Sequence, residues 1–155
     1  MATLPLGQAT QYPDQYDPSL LFQIPRAQNR LKLGIKENQS LPFVGVDIWN
    51  AFELSWLNPK GKPQIALAEF QIPADSPYMI ESKSFKLYLN SLNNTNFHDE
   101  HELRERLITD LSAAAGCKIT ARIQANEMVA KKGIQEMSGV LLDRLDIEID
   151  PRIPA

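Results

Sequence analysis

Positions 44–57 read VGVDIWNAFELSWL, positions 58–63 read NPKGKP and positions 64–72 read QIALAEFQI, and these three segments decide the fold. The first segment is rich in β-branched and aromatic residues, and the third resumes its apolar pattern, which is typical of strands. The middle segment combines asparagine, proline and glycine, which favour a tight turn. The sequence therefore predicts a β-hairpin, with one strand over 44–57 and a second over 64–72.

Pro73 and Pro77 interrupt the strand pattern after the hairpin. Two helices are predicted beyond them, because apolar residues recur there at helical spacing. The first spans about 82–92 and the second about 99–115. Acidic residues at the start of the second helix stabilise the positive end of the helix dipole, and Gly116 is expected to end this helix. The apolar faces consist of Phe85, Leu89 and Leu92 in the first helix, and of Leu103, Leu107, Leu111 and Ala114 in the second.

Two more strands are predicted at 118–124 and 145–150 from alternating apolar residues, with a loop or short helix over 126–139 between them. The order ββααββ predicts an α+β fold, in which two helices cover one face of a four-stranded antiparallel sheet. Residues 1–42 contain five prolines and predict an irregular N-terminal arm. The expected organisation is this arm followed by a single module over 43–155.

Length and charge narrow the class of protein. A chain of 155 residues is sufficient for one domain with a sizeable core. Its net charge of −3 gives no electrostatic footprint for nucleic acid, so no nucleic-acid partner is expected. The sequence has neither a long apolar run nor a leader, so we expect a cytoplasmic protein without a membrane partner. Cys117 is the only cysteine, which excludes an intramolecular disulfide.

Positions 81–91 read ESKSFKLYLNS and carry the residues that point to chemistry. The carboxylate of Glu81 is suited to a bidentate grip on the N–H groups of a flat heterocycle. Ser82 and Ser84 are hydroxyl donors beside a helix N-terminus whose free N–H groups favour anions, and Lys83 and Lys86 add positive charge for a phosphate. The same residues also suit an ordinary helix start, where serines cap, lysines are solvated and a glutamate complements the dipole.

This segment closely resembles the signature of the NADPH-dependent nitrile reductases that convert 7-cyano-7-deazaguanine to its aminomethyl form in queuosine biosynthesis, a tRNA modification pathway. The resemblance covers nearly the whole chain and is most specific over 45–91. It is to the N-terminal module of the longer, two-module form of these enzymes. Further similar stretches are YDPSLL at 16–21, PR at 25–26, NR at 29–30, DIW at 47–49, ELSWLN at 53–58 and KGKP at 60–63.

The resemblance implies a tunnelling fold (T-fold), whose modules assemble into barrels with active sites at their interfaces. It implies that Glu81 contacts the deazaguanine substrate and that Ser82 and Lys83 lie at the NADPH site, with Lys86 as a further phosphate contact. The family's reaction also needs a cysteine that attacks the nitrile and an aspartate that donates a proton. The cysteine position corresponds to about 47–49, where this sequence has none, so both residues are expected in a second T-fold module.

The remaining candidate residues favour ordinary roles. Cys117 follows an alanine run, which is typical of a small buried hydrophobe rather than a nucleophile. By the resemblance, His98 matches a substrate-holding position of the catalytic module, but an exposed histidine at a helix start is the favoured interpretation. His98 and His101 suggest zinc, yet a catalytic zinc site takes three protein ligands, so no metal is predicted.

Three functions stand open at this point. One is a half-enzyme that contributes the Glu81 side of a composite reductase site. Another is an isolated module that binds ligand or assembles without activity, and the third is a purine or pterin enzyme of the same fold. Because an open four-stranded sheet leaves two unpaired edges, a homo-oligomer is also expected, in the form of a homodimer.

Overall fold

The computed structural model describes residues 13–36, 39–125 and 146. Over these residues the chain is α+β, with antiparallel sheets and three α-helices. The elements are β1 (Gln23–Pro25), α1 (Arg26–Lys32), β2 (Val46–Leu57), β3 (Pro63–Pro73), β4 (Tyr78–Ile80), α2 (Ser82–Ser91), α3 (Glu100–Ala115) and β5 (Thr120–Ala125). One sheet has the order β2–β3–β5, and β1 pairs with β4 in a second.

The α+β class is confirmed, and so are the predicted hairpin, both helices and the strand that follows them. Apart from Asp146, the predicted strand over 145–150 lies outside the described residues, as does the segment 126–139. The four-stranded sheet and the complete ββααββ order of a T-fold therefore stay predictions. None of the described helices combines the length and the apolar character needed to cross a membrane.

One asparagine organises the turn between β2 and β3. The Oδ1 atom of Asn58 accepts hydrogen bonds from the backbone N–H groups of Lys60 and Lys62, both at 2.9 Å. Gly61 has a φ of 76°, in the left-handed region that favours glycine, and its N–H donates to the Asn58 carbonyl at 2.9 Å. The segment therefore forms the tight turn that its composition predicts.

Strand β2 contains a β-bulge that sequence reasoning did not predict. Its pairing with β3 shifts between Ala51 and Leu54, where Phe52 and Glu53 together oppose the single residue Leu67. Side chains alternate along a strand, so one extra residue changes the core-facing positions from odd-numbered to even-numbered. The core-facing residues of β2 are accordingly the partly buried Trp49 and Ala51 before the bulge, and the buried Leu54 and Trp56 after it.

Helices α2 and α3 pack against one face of the β2–β3–β5 sheet and form the core with it. Strand β3 supplies alternate buried residues to this face, and the apolar stripes predicted for both helices meet them. Each large apolar side chain buried in this way contributes about 1.5–3 kcal/mol. The buried side chains include Phe70 and Ile72 of β3, Phe85 and Tyr88 of α2, and Leu103, Leu107, Leu111 and Ala114 of α3.

The ends of α3 follow the sequence prediction. Asp99 is the N-cap, and its Oδ1 accepts a hydrogen bond from the Glu102 N–H at 2.8 Å. Gly116 ends the helix with a φ of 70°, and its N–H donates to the Ser112 carbonyl at 2.9 Å. This left-handed residue is the stop expected at that position.

The N-terminal arm is more regular than its prolines predict. Instead of irregular chain, it contains a 3-10 turn at Pro18–Leu20, followed by β1 and α1. The cause is tertiary, because β1 pairs antiparallel with β4, and the Arg30 guanidinium of α1 donates to the carbonyls of Ala74 and Ser76 at 2.7 and 3.0 Å. A boundary between arm and module at residues 42 and 43 stays a prediction.

Candidate functional site

Glu81 is the N-cap of α2 and directly follows β4. Its Oε1 accepts a hydrogen bond from the Lys83 N–H at 2.9 Å, and its Oε2 accepts one from the Ser84 N–H at 2.7 Å. The residue is 5% exposed, so the carboxylate is held in one orientation at the edge of the core. The Ser82 hydroxyl also donates to Oε1, at 3.4 Å. A carboxylate has about four acceptor positions, which leaves capacity for a further donor.

This cap corrects one step of the sequence interpretation. The N–H groups at the start of α2 were expected to be available to an anion, but two of them donate to Glu81. Ser82 and Lys86 are exposed and Lys83 is partly buried. A phosphate near this helix start would therefore be bound by the serine hydroxyl and the lysine ammonium groups rather than by those two backbone N–H groups.

A cleft of about 540 Å³ lies between β2 and one side of α2. This volume falls in the range of about 300–1,000 Å³ that is usual for small-molecule sites. Its lining includes an aromatic group in which Trp49 and Phe70 each meet Phe85 edge-to-face, at ring-centroid distances of 5.4 and 5.3 Å. The polar lining includes Glu53 and Ser55 of β2, Lys86 and Asn90 of α2, and Asn93.

The predicted site residues thus fall into two neighbouring groups. Glu81, Ser82 and Lys83 cluster at the start of α2, and Lys86 lines the cleft about one helical turn further on. Sequence reasoning missed Glu53 as part of the cleft. It lies in the bulge, and a run of mixed apolar and polar residues gives no signal for the extra residue.

Arg26 connects the N-terminal arm to β2. Its guanidinium forms an ion pair with Asp47, and its Nε–H donates to the Ser76 hydroxyl at 3.0 Å and to the Tyr78 carbonyl at 3.4 Å. The side chain of Arg26 is 15% exposed and that of Asp47 is 37% exposed. The resemblance included both segments, but nothing in the sequence indicated that these two residues meet.

Two tyrosines share one carboxylate on the helical side. The hydroxyls of Tyr16 and Tyr88 each donate to Asp110 Oδ2 at 2.7 Å. Burial, together with this carboxylate, raises the pKa of Tyr16 to about 12 and raises the pKa of the fully buried Tyr88 as well. Both hydroxyls are therefore protonated at neutral pH and serve to join the arm to α2 and α3.

Cys117 and His98 lie in environments that support ordinary roles. Cys117 is partly buried against the core, and burial raises the pKa of its thiol, so the nucleophilic thiolate is scarce at neutral pH. The side chain of His98 is 83% exposed, and its backbone N–H donates to Glu102 Oε2 at 2.7 Å, which completes the start of α3. Within the described part of the chain, no three His, Cys, Asp or Glu side chains gather as a metal site.

Comparison with known proteins identifies the family. The family described as "Nitrile reductase, 7-cyano-7-deazaguanine-reductase N-term" matches residues 12–123. The chain belongs to this nitrile reductase family. The match includes segment 81–91 and every residue of the cleft lining, so both groups of the candidate site belong to the nitrile reductase N-terminal region.

Curated relatives support the same nitrile reductase assignment. The chain is 51% identical over 155 residues to a Bordetella parapertussis protein, which covers 100% of this chain and 56% of the relative. It is 53% identical over 151 residues to a Cupriavidus necator protein, with 97% and 54% covered. Both relatives are named NADPH-dependent 7-cyano-7-deazaguanine reductase. The chain spans about half the length of the curated relatives it matches.

Proposed function

We propose that this chain supplies the N-terminal half of an NADPH-dependent reductase, which converts the nitrile of 7-cyano-7-deazaguanine to an aminomethyl group in queuosine biosynthesis. The observation that carries the proposal is 51% identity across all 155 residues to a relative named for this activity. Because the product is destined for tRNA, the enzyme works in the cytoplasm.

The chemistry divides between two modules. Reduction of a nitrile to a primary amine consumes two hydrides and two protons, and NADPH supplies the hydrides. A thiolate that adds to the nitrile carbon makes that carbon reducible, and the thiolate leaves again as reduction proceeds. The only thiol of this chain is Cys117, whose raised pKa and packing against the core do not suit that role. We therefore assign the nucleophilic cysteine and the proton-donor aspartate to the second T-fold module.

Within this half, we assign Glu81 to the substrate. Its support is the fixed carboxylate, which has acceptor capacity left beyond the two N–H groups that it caps. The deazaguanine ring carries N–H donors of the kind that a carboxylate binds. The aromatic lining of the adjacent cleft is also suited to a flat ring.

We assign Ser82, Lys83 and Lys86 to NADPH. Ser82 and Lys86 are exposed and lie four positions apart on α2, so they share one side of the helix. A hydroxyl and ammonium groups there supply the hydrogen bonds and positive charge that a phosphate group needs.

We assign the edges of the sheet to contacts with the second T-fold module and with the partner of a homodimer. One of these edges is the open side of β2. Among the described strands, β2 lies at an edge, and three of its exposed side chains are large and apolar. Unpaired backbone groups beside apolar side chains favour pairing with another strand. Val46, Ile48 and Phe52 are 49%, 56% and 77% exposed.

Complementation tests the proposal. The chain is combined with the cysteine-bearing C-terminal module of a cognate reductase, and NADPH oxidation is measured with and without 7-cyano-7-deazaguanine. Nitrile-dependent oxidation is expected only from the combination, and each module alone is the control. A combination that assembles but never oxidises NADPH contradicts the proposal.

Single variants in the combined enzyme test the residue assignments. Glu81→Gln is expected to raise the KM for the deazaguanine, and Lys86→Ala to raise the KM for NADPH by about tenfold, as the loss of a charge-assisted contact predicts. Lys60→Ala is the matched control, because Lys60 is also an exposed lysine and lies in the hairpin turn. Equal effects of Lys86→Ala and Lys60→Ala would remove Lys86 from the cofactor site.

Calorimetry on the isolated chain distinguishes a binding module from an assembly module. Heat on addition of NADPH or of 7-cyano-7-deazaguanine identifies a ligand site that is complete within this half. If the folded chain binds neither ligand, it is an assembly module, and both ligands bind only at the composite site of the two modules.

A further inference from the structure

Two buried serines attach the N-terminal arm to α2. The Ser84 hydroxyl accepts a hydrogen bond from the Phe22 N–H at 3.0 Å and donates to the Glu81 carbonyl at 2.7 Å. The Ser91 hydroxyl accepts from the Asp17 N–H at 3.2 Å and donates to the Tyr88 carbonyl at 2.6 Å. The two serines are 1% and 0% exposed and lie about two helical turns apart, so the arm runs along one side of α2.

Only the first of these attachments includes the residue assigned to the substrate. The Glu81 N–H donates to the Phe22 carbonyl at 2.9 Å, and the Ser84 N–H donates to the Glu81 carboxylate at 2.7 Å. Together with the two bonds of the Ser84 hydroxyl, these contacts link Glu81, Ser84 and Phe22 in a closed set of four hydrogen bonds. Both the backbone and the carboxylate of Glu81 are therefore fixed through its neighbours.

The pairing of β1 with β4 extends this set on the other side. Gln23 lies opposite Ile80, immediately before Glu81, and the Gln23 side chain donates to the carbonyls of Ala113 and Ala114 at 3.2 and 2.9 Å. The strand that leads into Glu81 is consequently attached to the arm, and the arm is attached to the end of α3.

We propose that Ser84 is a positioning residue, which joins the N-terminal arm at Phe22 to Glu81 and so holds the carboxylate in its substrate-binding orientation. The inference rests on the proposed function, because it takes Glu81 as the substrate contact. A binding group must be held within about 0.5 Å of its productive place by surrounding hydrogen bonds. Ser84 has no access to a ligand at 1% exposure, so it acts through Glu81.

The experiment compares Ser84→Ala with Ser91→Ala in the combined two-module enzyme. Each variant removes one buried hydroxyl of α2, one bond from the arm and one bond to a helix carbonyl, so similar losses of thermal stability are expected. Ser84→Ala is expected to raise the KM for 7-cyano-7-deazaguanine by about tenfold, which corresponds to about 1.4 kcal/mol. The KM of Ser84→Ala for NADPH is expected to stay within about twofold, because only binding of the nitrile substrate is weakened. Every kinetic constant of Ser91→Ala is also expected to stay within about twofold, because Ser91 has no bond to Glu81.

A double-mutant cycle with Glu81→Gln decides whether Ser84 acts through Glu81. If it does, Ser84→Ala adds little to the KM of the Glu81→Gln enzyme, whereas independent effects would multiply. Multiplying effects, or equal KM values for Ser84→Ala and Ser91→Ala, overturn the positioning role while Glu81 keeps its assignment. A Glu81→Gln enzyme with normal KM instead refutes the substrate assignment, and the inference fails with it. If Ser84→Ala does not fold, Ser84→Cys fills the same space with a weaker hydrogen-bonding group and serves in the same cycle.

Discussion

Replacement of Gly116 by alanine tests how closely α3 approaches the segment that leads to Glu81. Gly116 has a φ of 70°, and a Cβ atom added there would lie 2.6 Å from Pro77 Cγ and 3.1 Å from Tyr78 Cδ2. Two separate costs are therefore expected, one from the left-handed backbone and one from the steric clash.

The magnitudes of the two costs are separable. A left-handed conformation costs a residue other than glycine about 1–2 kcal/mol. Overpacking of a close contact adds about 1–3 kcal/mol. Gly116→Ala is therefore expected to lower the free energy of unfolding by about 2–5 kcal/mol. The clash share falls on Pro77 and Tyr78, so β4 and its pairing with β1 must shift to relieve it.

The chain offers a matched control at Gly61. Its φ of 76° is similar, but no atom lies within 4 Å of an added Cβ, so Gly61→Ala is expected to show the backbone cost alone. Urea unfolding of both variants, followed by circular dichroism, gives the difference that belongs to the clash. Pro77→Ala in the Gly116→Ala background removes the nearest atom and is expected to recover part of that difference.

Equal destabilisation by Gly116→Ala and Gly61→Ala would refute this reasoning. That result would mean that α3 and the Pro77–Tyr78 segment separate at no cost, and that their contact does not fix the approach to Glu81.

Three further predictions concern the arm and the single thiol. Tyr16 has a pKa of about 12 in the folded state, against about 10 for an ordinary tyrosine. The free energy of unfolding is therefore expected to fall as pH rises from about 10 to about 12, because the folded state keeps a proton that the unfolded chain releases. Below that window the contribution is fully present, and a Tyr16→Phe variant whose pH profile over it is unchanged would contradict the assignment. Arg26→Lys keeps the charge beside Asp47 but loses the Nε–H bonds, so urea unfolding should show a loss of about 1–2 kcal/mol; no loss would mean that those bonds are unimportant. Cys117→Ala is expected to leave nitrile-dependent NADPH oxidation by the combined enzyme unchanged, and loss of that activity in a folded variant would restore Cys117 as a candidate nucleophile.

Local signals in the sequence were enough for the hairpin and the two helices. The asparagine and glycine of the turn, the apolar stripe of α3 and its glycine stop each act within a few residues, and the structure confirms all three. Sequence reasoning placed Lys83 and Ser84 beside Glu81, but it gave their N–H groups to a ligand. In the structure the carboxylate itself accepts them, because a buried helix start needs its own acceptor.

Features that depend on distant partners could not be predicted. Helix α1 lies in a proline-rich arm and owes its order to Arg26 and Arg30, which bond to residues far along the chain. Tyr16 likewise gains its role only from Asp110 on α3. Neither pairing has a spacing or composition that a single sequence reveals.

The β-bulge in β2 decides where that strand can be shortened. Phe52 and Glu53 share the place opposite Leu67, so Trp49, Ala51, Leu54 and Trp56 all face the helices although the core-facing positions change from odd to even. Deletion of Glu53 would therefore give uninterrupted pairing with all four side chains still on the core face, and the cleft would lose only the Glu53 part of its lining. Deletion of Ser55 would instead make Leu54 and Trp56 neighbours, and neighbouring side chains on a strand point to opposite faces. A one-residue deletion is therefore expected to be tolerated at the bulge and to disrupt the core two residues beyond it.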